Sequence, residues 1–459
     1  MPKFIYFYFY SLKFTIFVKT KNFLIKYRQI NEGAIMNIPA DLIKNKKILL
    51  GVTGSIAIYK SLELLRYFVK AGAEVKVVMT PAAKKFITPL TFETLSSNRV
   101  LDDTNESWAN EHNHIKISEW ADIMVIAPAS ANTIAKLANA IADNILLQSA
   151  LAFNGMKILA PSANTNMLQN PITQANLKML GIANYTILET QTKELACKTI
   201  GDGAMAEPLN IFYQTSRELL KEEYWTDRRV IITGGGTVEK IDEVRYISNF
   251  SSGKMASALA TALYLKGADV NLIATRFDEN LPENMHKIDV ASTAEMLEYL
   301  TDSVRIAKKG KLSKATLVRD EHIHIIQKRP FLFMAAAVSD YIAEFPQDGK
   351  LKKESLGESW ELPLKKNIDI LNTIDKEGIT VVGFKAEMDE EKAKSNAVNM
   401  LENKNLDAVC LNLLKDSSSF GTDVNEIEFI TNDKNILLLQ SDKLTLSFRI
   451  ISHSKKLSE

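Results

Sequence analysis

Residues 228–255 read RRVIITGGGTVEKIDEVRYISNFSSGKM, and this stretch decides the fold. Val230–Thr233 is a short apolar run of the kind that a strand buried on both faces needs. Three glycines follow, then a polar loop, then Ser251-Ser252-Gly253-Lys254 opening a helix. A glycine turn at the carboxyl end of a strand, leading to a helix N-terminus, lets backbone N–H groups approach a phosphate closely. The helix is expected from about 253, capped by Gly267, with Asp269–Ala274 as the next strand.

The same plan occurs near the start of the chain. Residues 47–52 (KILLGV) form a strand, Thr53-Gly54-Ser55 a turn, and Ile58, Leu62, Leu65 and Val69 recur at helical spacing. Gly72 caps that helix and EVKVVM (74–79) is the next strand. Even the return turns match, GAEV at 72–75 and GADV at 267–270. Further strands are expected at Ile123–Ala127, Lys157–Ala160 and Thr186–Leu188. The loops after them are PASANT (128–133), PSANTNM (161–167) and the Cys197 loop. A helix over about 209–221 leads into the second half, where residues 303–328 read as an insertion or long loop. Phe331–Val338, Thr380–Phe384 and Asp407–Leu411 read as strands. The fold class is therefore α/β, two doubly wound Rossmann-like domains, with ligands outside the carboxyl ends of the strands. The expected division is 36–225 and 226–459, after an extension, 1–35, outside the fold.

Composition agrees. A chain of 459 residues is too long for one ordinary core. A net charge of +1 without a dominant basic run argues against a nucleic-acid surface, while a small anionic substrate needs only a local cluster. Two cysteines, Cys197 and Cys410, make no disulfide framework and point to a reducing, cytoplasmic setting. The aromatic, basic segment before Met36 has lysines at 3, 13 and 19 breaking every apolar run, so it is too short to span a membrane. Met36 is the expected start of the working protein.

Several residues have the chemistry for a site. Cys197, in LACKTIGDGAMAEP, is either a loop nucleophile or proton donor, or a buried apolar cysteine. Cys410 in AVCLN reads as core. His114 is either a general base or an exposed loop histidine. His112 with His114, and His322 with His324, lack a third metal ligand at a recognisable spacing. Lys350, Lys352, Lys353, Lys365 and Lys366, with Gly234–Gly236 and Lys254, make a triphosphate clamp reasonable. Neither half carries GxGxxG or a P-loop, which disfavours a dinucleotide dehydrogenase.

Taken in order, GVTGSIAIYK (51–60), His114, PSANTNM, the Cys197 loop, VRYISNFSSGKM (244–255) and KLKK (350–353) resemble one family. It is the bifunctional phosphopantothenoylcysteine decarboxylase / phosphopantothenate–cysteine ligase family of coenzyme A biosynthesis, and the resemblance runs from about residue 45 to 452. It implies a flavodoxin-like first domain holding FMN through Gly54, Ser55, Ile56, Thr80 and Ser130. His114 matches the active-site base, Asn164 the asparagine that orients the substrate carboxylate, and Cys197 the proton donor. For the second domain it implies CTP and Mg²⁺, with the metal ligands unknown. Lys350 matches the lysine that forms the acyl-cytidylate and Asn249 the asparagine that converts it. Asp340, Lys350, Asn367, Asp369, Ile370, Phe384 and Lys404 match CTP contacts, and Arg245 is placed for the substrate phosphate. The family also implies trimeric or dodecameric flavin domains and dimeric ligase domains.

The chain departs from the family at four places. Pro161-Ser162-Ala163-Asn164 stands for Pro-Ala-Met-Asn, and Cys197-Lys198-Thr199 for Cys-Gly-Asp. Ala204 replaces an arginine and Met400 a second nucleotide lysine. A ligase with a decarboxylation-dead flavin domain, or a non-catalytic flavoprotein subunit, are the competing readings.

Overall fold

The computed structural model describes residues 38–194, 200–312, 325–352, 358–414 and 421–458. The first half runs β1 (Lys47–Val52), α1 (Ile58–Lys70), β2 (Glu74–Met79), α2 (Pro89–Ser96), α3 (His114–Trp120), β3 (Ile123–Ala129), α4 (Ala131–Ala138) and α5 (Ile145–Ala152). It continues with β4 (Lys157–Pro161), α6 (Thr165–Gln169), α7 (Pro171–Ile182), β5 (Tyr185–Ile187), the hairpin β6 (Gln191–Glu194) and β7 (Ile200–Ala204), and α8 (Pro208–Leu220). Strands β1 to β5 form a parallel sheet in the order β2-β1-β3-β4-β5. The order reverses between β1 and β3, and that is where such a sheet opens a crevice for ligands.

The second half runs β8 (Arg229–Gly234), β9 (Val238–Lys240), β10 (Tyr246–Ser248), α9 (Lys254–Leu265), β11 (Asp269–Ala274), β12 (His286–Asp289), α10 (Thr293–Ala307), β13 (Lys311–Leu312) and β14 (Ile325–Ile326). Next come β15 (Phe331–Met334), β16 (Tyr341–Ala343), β17 (Leu364–Lys366), α11 (Ile370–Thr373), β18 (Thr380–Glu387), α12 (Glu390–Asn403), β19 (Ala408–Leu413), β20 (Val424–Ile430), β21 (Asn435–Asp442) and α13 (Lys443–Ser454). Its sheet has the order β12-β11-β8-β15-β18-β19-β20-β21, parallel up to β19 and antiparallel beyond it. The reversal here lies between β8 and β15.

The apolar runs are continuous because helices cover both faces of each sheet. In β1, Ile48, Leu50 and Val52 enter one core cluster and Leu49 the other. In β8, Val230 and Ile232 face one side and Ile231 the opposite one. One cluster continues from Phe68 and Phe212 through Trp225 to Leu263 and Phe331, so the two halves share apolar core. Arg217 on α8 reinforces the junction by donating to the carbonyls of Gly267 (2.8 Å) and Ala268 (3.0 Å) just after α9. No helix among the described residues is long and apolar enough to cross a membrane.

Four expectations need correction. The buried face of α1 is Ile58, Ser61, Leu64, Leu65 and Phe68, with Val69 exposed. The face turns because α1 also packs on α8, where Phe68 meets Phe212 at 5.9 Å. Residues 303–307 are not loop but the last turn of α10, with Ser303, Val304 and Ala307 buried. Beyond them, β13 pairs antiparallel with β14; His322 and His324 lie outside the described residues. Strand β15 stops at Met334 rather than Val338. Small residues let the next segment meet the glycine turn instead, with Ala337 N–H donating to Gly235 O at 2.8 Å. Finally, the polar loop after the glycines holds the antiparallel hairpin β9–β10.

Candidate functional site

At the first reversal, Thr53 ties two loops together. Its Oγ1 donates to Pro128 O (2.7 Å) and accepts from Ser130 N (3.0 Å). Ser130 in turn caps α4 through Thr133 N. A Cβ on Gly54 would lie 2.6 Å from the Ala82 Cβ, so only glycine lets the loops after β1 and β2 meet. Thr80 caps the turn at Ala83 (3.3 Å). Ser55 Oγ lies 3.0 Å from Ser162 Oγ, which brings in the loop after β4. The serine at 162, one of the departures from the family pattern, thus adds a tether. Ile56 is exposed at the tip of the turn, and α1 opens on Ala57 with no side-chain cap. The five expected flavin residues are therefore gathered on adjoining loops.

His114 opens α3, whose N-terminus is capped by Asn113 through Ile115 N and Lys116 N. Helix α3 runs back to the start of β3, so its first residue lies toward the carboxyl ends of the strands. The imidazole Nδ1 is 2.7 Å from Glu106 Oε1, and Trp108 packs edge-on at 5.7 Å. A carboxylate only accepts, so the proton sits on Nδ1 and the Nε2 lone pair is free to act as a base. Glu106 was not visible as a site residue in the sequence. Burial holds the neighbouring His112 below its ordinary pKa, with the Arg99 charge adding to it.

Asn164 caps α6 through Asn166 N (3.0 Å). Ala163 N–H donates to Gly203 O (3.1 Å), so β7 lies against this loop. Cys197, Lys198 and Thr199 lie outside the described residues, between β6 and β7. Glu207 pins the stem of that hairpin by accepting from both Lys193 and Lys60. Cys410 is core, as expected, and burial raises its thiol pKa strongly.

At the second reversal the three glycines are packed tight. Gly235 has φ +78°, and a Cβ on Gly236 would sit 2.5 Å from Asn249 O. Asn249 Nδ2 donates to Val338 O at 3.0 Å, which joins the end of β10 to the loop after β15. Asn367 N donates to Asp340 O (2.8 Å), and Asn367 Nδ2 to Ser339 O (2.8 Å) and Thr293 Oγ1 (3.0 Å). Asp369 caps α11, where Ile370 is buried, and pairs with Lys404 at 3.0 Å. Met400, at the missing-lysine position, packs inward near Gly383. Lys376 stands close to Lys404 and Asp369, and burial lowers its pKa. Its ammonium donates to Leu371 O.

A cavity of about 190 Å³ opens here, lined by Ser252, Gly253, Ala336, Phe384, Lys385 and Lys443. Lys254 Nζ is paired with Asp423 at 2.6 Å and donates to Gly421 O at 3.0 Å. Lys443, which opens α13, lines the cavity instead. Burial and the Lys254 charge push its pKa down to about 8 against the pull of Asp423. Its distance along the chain from β8 hid it from sequence reasoning. A larger cavity of about 530 Å³ lies at the junction near Leu220, Trp225 and Phe448, lined by none of the expected site residues.

Lys350 is exposed on a segment strapped to the β9–β10 turn. Arg245, expected to meet a phosphate, is engaged within the protein. It donates to Asp242 and to Leu351 O (2.8 Å), with Trp360 against it at 5.1 Å. Lys353 lies outside the described residues.

Family models match both halves. The Flavoprotein model covers residues 36–219, and the DNA/pantothenate metabolism flavoprotein C-terminal domain covers 225–310 and 311–457. The chain is 34% identical over 414 residues to the coenzyme A biosynthesis bifunctional protein CoaBC of Haemophilus influenzae, covering 89% of this chain and 97% of that one. The Bacillus subtilis protein of the same name is 34% identical over 427 residues, covering 91% and 98%. Among solved structures, a mutant PPC decarboxylase complexed with pantothenoylaminoethenethiol matches 38% of this chain and 97% of its own, at 32% identity and TM-score 0.35. The chain belongs to the family of coenzyme A biosynthesis bifunctional proteins, a flavoprotein half followed by a pantothenate-metabolism half.

Proposed function

We propose that the chain converts 4′-phosphopantothenate to 4′-phosphopantetheine in two steps. The second half joins cysteine to the acid at the expense of CTP, and the first half decarboxylates the product. The observation that carries this reading is the pairing of Glu106 with His114 in a chain whose second half keeps Asn249, Lys350 and a nucleotide-type glycine turn.

The residues present fit FMN. The turn after β1 is glycine-pinched, α1 lacks a side-chain cap, and Thr53 and Ser130 lock the facing loop, which together suit a phosphate at the helix start. Bound FMN would supply reversible two-electron redox chemistry at the cysteine thiol, giving the carboxylate's electrons somewhere to go and, with the electrons returned after CO₂ has left, no net oxidation. In this reading His114 Nε2 takes the proton, Asn164 orients the carboxylate, and Cys197 returns a proton to the enethiolate.

In the ligase half, the phosphopantothenate carboxylate attacks the α-phosphorus of CTP, forming a C–O–P bond and releasing pyrophosphate. The cysteine amine then attacks the acyl carbon, CMP leaves, and the ammonium proton is lost. Lys350 offsets charge in the first step and Asn249 serves the second, while Asp340, Asn367, Asp369, Ile370, Phe384 and Lys404 hold the nucleotide. No cluster of three or more His, Cys, Asp or Glu suited to a metal occurs among the described residues. Mg²⁺ would enter on the triphosphate, whose oxygens are the hard ligands this ion takes. A cytoplasmic, homo-oligomeric enzyme with trimeric or dodecameric flavin domains and dimeric ligase domains completes the reading; exposed Ile56, Tyr59 and Leu90 on the first half support an oligomer.

The two halves are separable by substitution. With phosphopantothenoylcysteine supplied for the CO₂ assay, His114→Gln should abolish CO₂ release and spare pyrophosphate, and Lys350→Met should do the reverse. Loss of both activities in either variant would contradict the division of labour.

A further inference from the structure

We propose that Asp242 is a positioning residue of the ligase reaction, holding Lys350 in place against the same hairpin that carries Asn249. The inference rests on the reading of Lys350 and Asn249 given above, and goes beyond it to what fixes their relative position.

The side chain of Asp242 is fully buried at the β9–β10 turn. A buried carboxylate is costly unless its oxygens are satisfied, and here both are. Oδ1 closes its own turn by accepting from Val244 N (2.8 Å) and Arg245 N (2.7 Å). Oδ2 reaches across the chain to accept from Leu351 N (3.2 Å), Arg245 Nε (3.1 Å) and Arg245 Nη2 (2.8 Å). Burial alone would raise the carboxyl pKa. The N–H groups of Val244, Arg245 and Leu351, and the guanidinium, outweigh it and hold the pKa at about 2. The group is therefore an anion at neutral pH.

The oxygens divide the labour. Oδ1 makes the turn, while Oδ2 makes the connection. Three further bonds reinforce that connection: Gln347 N to Ile241 O (2.9 Å), Glu243 N to Gly349 O (3.2 Å) and Arg245 Nη2 to Leu351 O (2.8 Å). Lys350 thus sits between two residues, 349 and 351, that are each fixed to the turn. Its own side chain remains exposed, able to face a ligand. The other end of the hairpin is Asn249, itself bound to Val338 O. Arg245 belongs to this strut, which assigns it a structural task in place of the phosphate contact expected from sequence.

Asp242→Asn tests the division directly. The amide oxygen can keep the Oδ1 bonds and the turn, but the NH₂ then faces three N–H donors and the connection opens. In the full chain, we would measure pyrophosphate release in Asp242→Asn, Lys350→Met and the double variant. CO₂ release from supplied phosphopantothenoylcysteine reports on folding. The expected result is a kcat loss on the order of tenfold or more, as small misplacements of a catalytic group produce. The KM for CTP should stay within about twofold, and the double variant should be no worse than Lys350→Met alone. Should Asp242→Asn not fold, Arg245→Lys keeps a cation but cannot bridge Asp242 Oδ2 and Leu351 O, and should give the same kcat loss with the KM for phosphopantothenate unchanged.

Additive losses in the double variant, or a parental rate in Asp242→Asn while Lys350→Met is inactive, would overturn the proposal and leave the reading of Lys350 standing. Parental activity in Lys350→Met would remove that reading and the proposal with it.

Discussion

Glu106 offers the sharpest test of the decarboxylase half. Its Oε1 lies 2.7 Å from His114 Nδ1 and also accepts from His114 N at 3.3 Å. The carboxylate already accepts from Nδ1–H, and as His114 takes a proton the contact becomes an ion pair; a hydrogen bond to a charged group is worth about 1.5–3 kcal/mol in proteins. Glu106→Leu removes it, so kcat for CO₂ release should fall about 10- to 150-fold, since about 1.4 kcal/mol is a factor of ten. Glu106→Gln keeps an acceptor for Nδ1–H but no charge, and neutral bonds are roughly half as strong. Its loss should be about fivefold. The assay is CO₂ release from phosphopantothenoylcysteine at saturation, with pyrophosphate release and flavin content as controls on the same preparation. A Glu106→Leu variant within twofold of the parent would refute the oriented-base argument. So would equal losses in the two variants.

Three other predictions concern the fold and the ligase half. Gly236→Ala puts a Cβ 2.5 Å from the Asn249 carbonyl, an overpacking of about 1–3 kcal/mol; pyrophosphate release should fall at least tenfold with CO₂ release from supplied intermediate unchanged. Trp225→Ala opens a shared core and should cost about 3–5 kcal/mol. Both activities should then be lost over the same lowered temperature range, and separate thermal losses would contradict a common core. Lys443 loses its ammonium as pH rises through about 8, so the KM for an anionic ligase substrate should climb above that pH. Lys443→Arg should flatten the rise, which kinetics from pH 7 to 9.5 would reveal.

The sheets were legible because parallel strands buried on two faces are written as apolar runs. Strands β1, β2 and β11 begin and end where KILLGV, EVKVVM and the GADV turn place them. The hairpin β9–β10 was not legible, since VEK and YIS carry no apolar alternation and their pairing depends on Asp242 rather than on a core. Strand β15 was read too long because alanines that approach a glycine turn look, in one dimension, like alanines that continue a strand. For the candidate sites, loops adjoining a strand end could be read from glycine and serine. Partners supplied from elsewhere could not: Glu106 lies in an irregular loop, and Lys443 reaches its cavity from the last helix. Arg245 is a further case, a cation whose motif suggests a ligand and whose contacts to Asp242 and Leu351 the sequence did not show.

The central claim is that one chain carries a substrate through both sites. The direct measurement supplies the full chain with carboxyl-labelled cysteine, phosphopantothenate, CTP and Mg²⁺, and collects labelled CO₂. The account predicts labelled CO₂ that requires every component and accompanies pyrophosphate. Pyrophosphate without labelled CO₂ would contradict it and leave a ligase attached to a silent flavin domain.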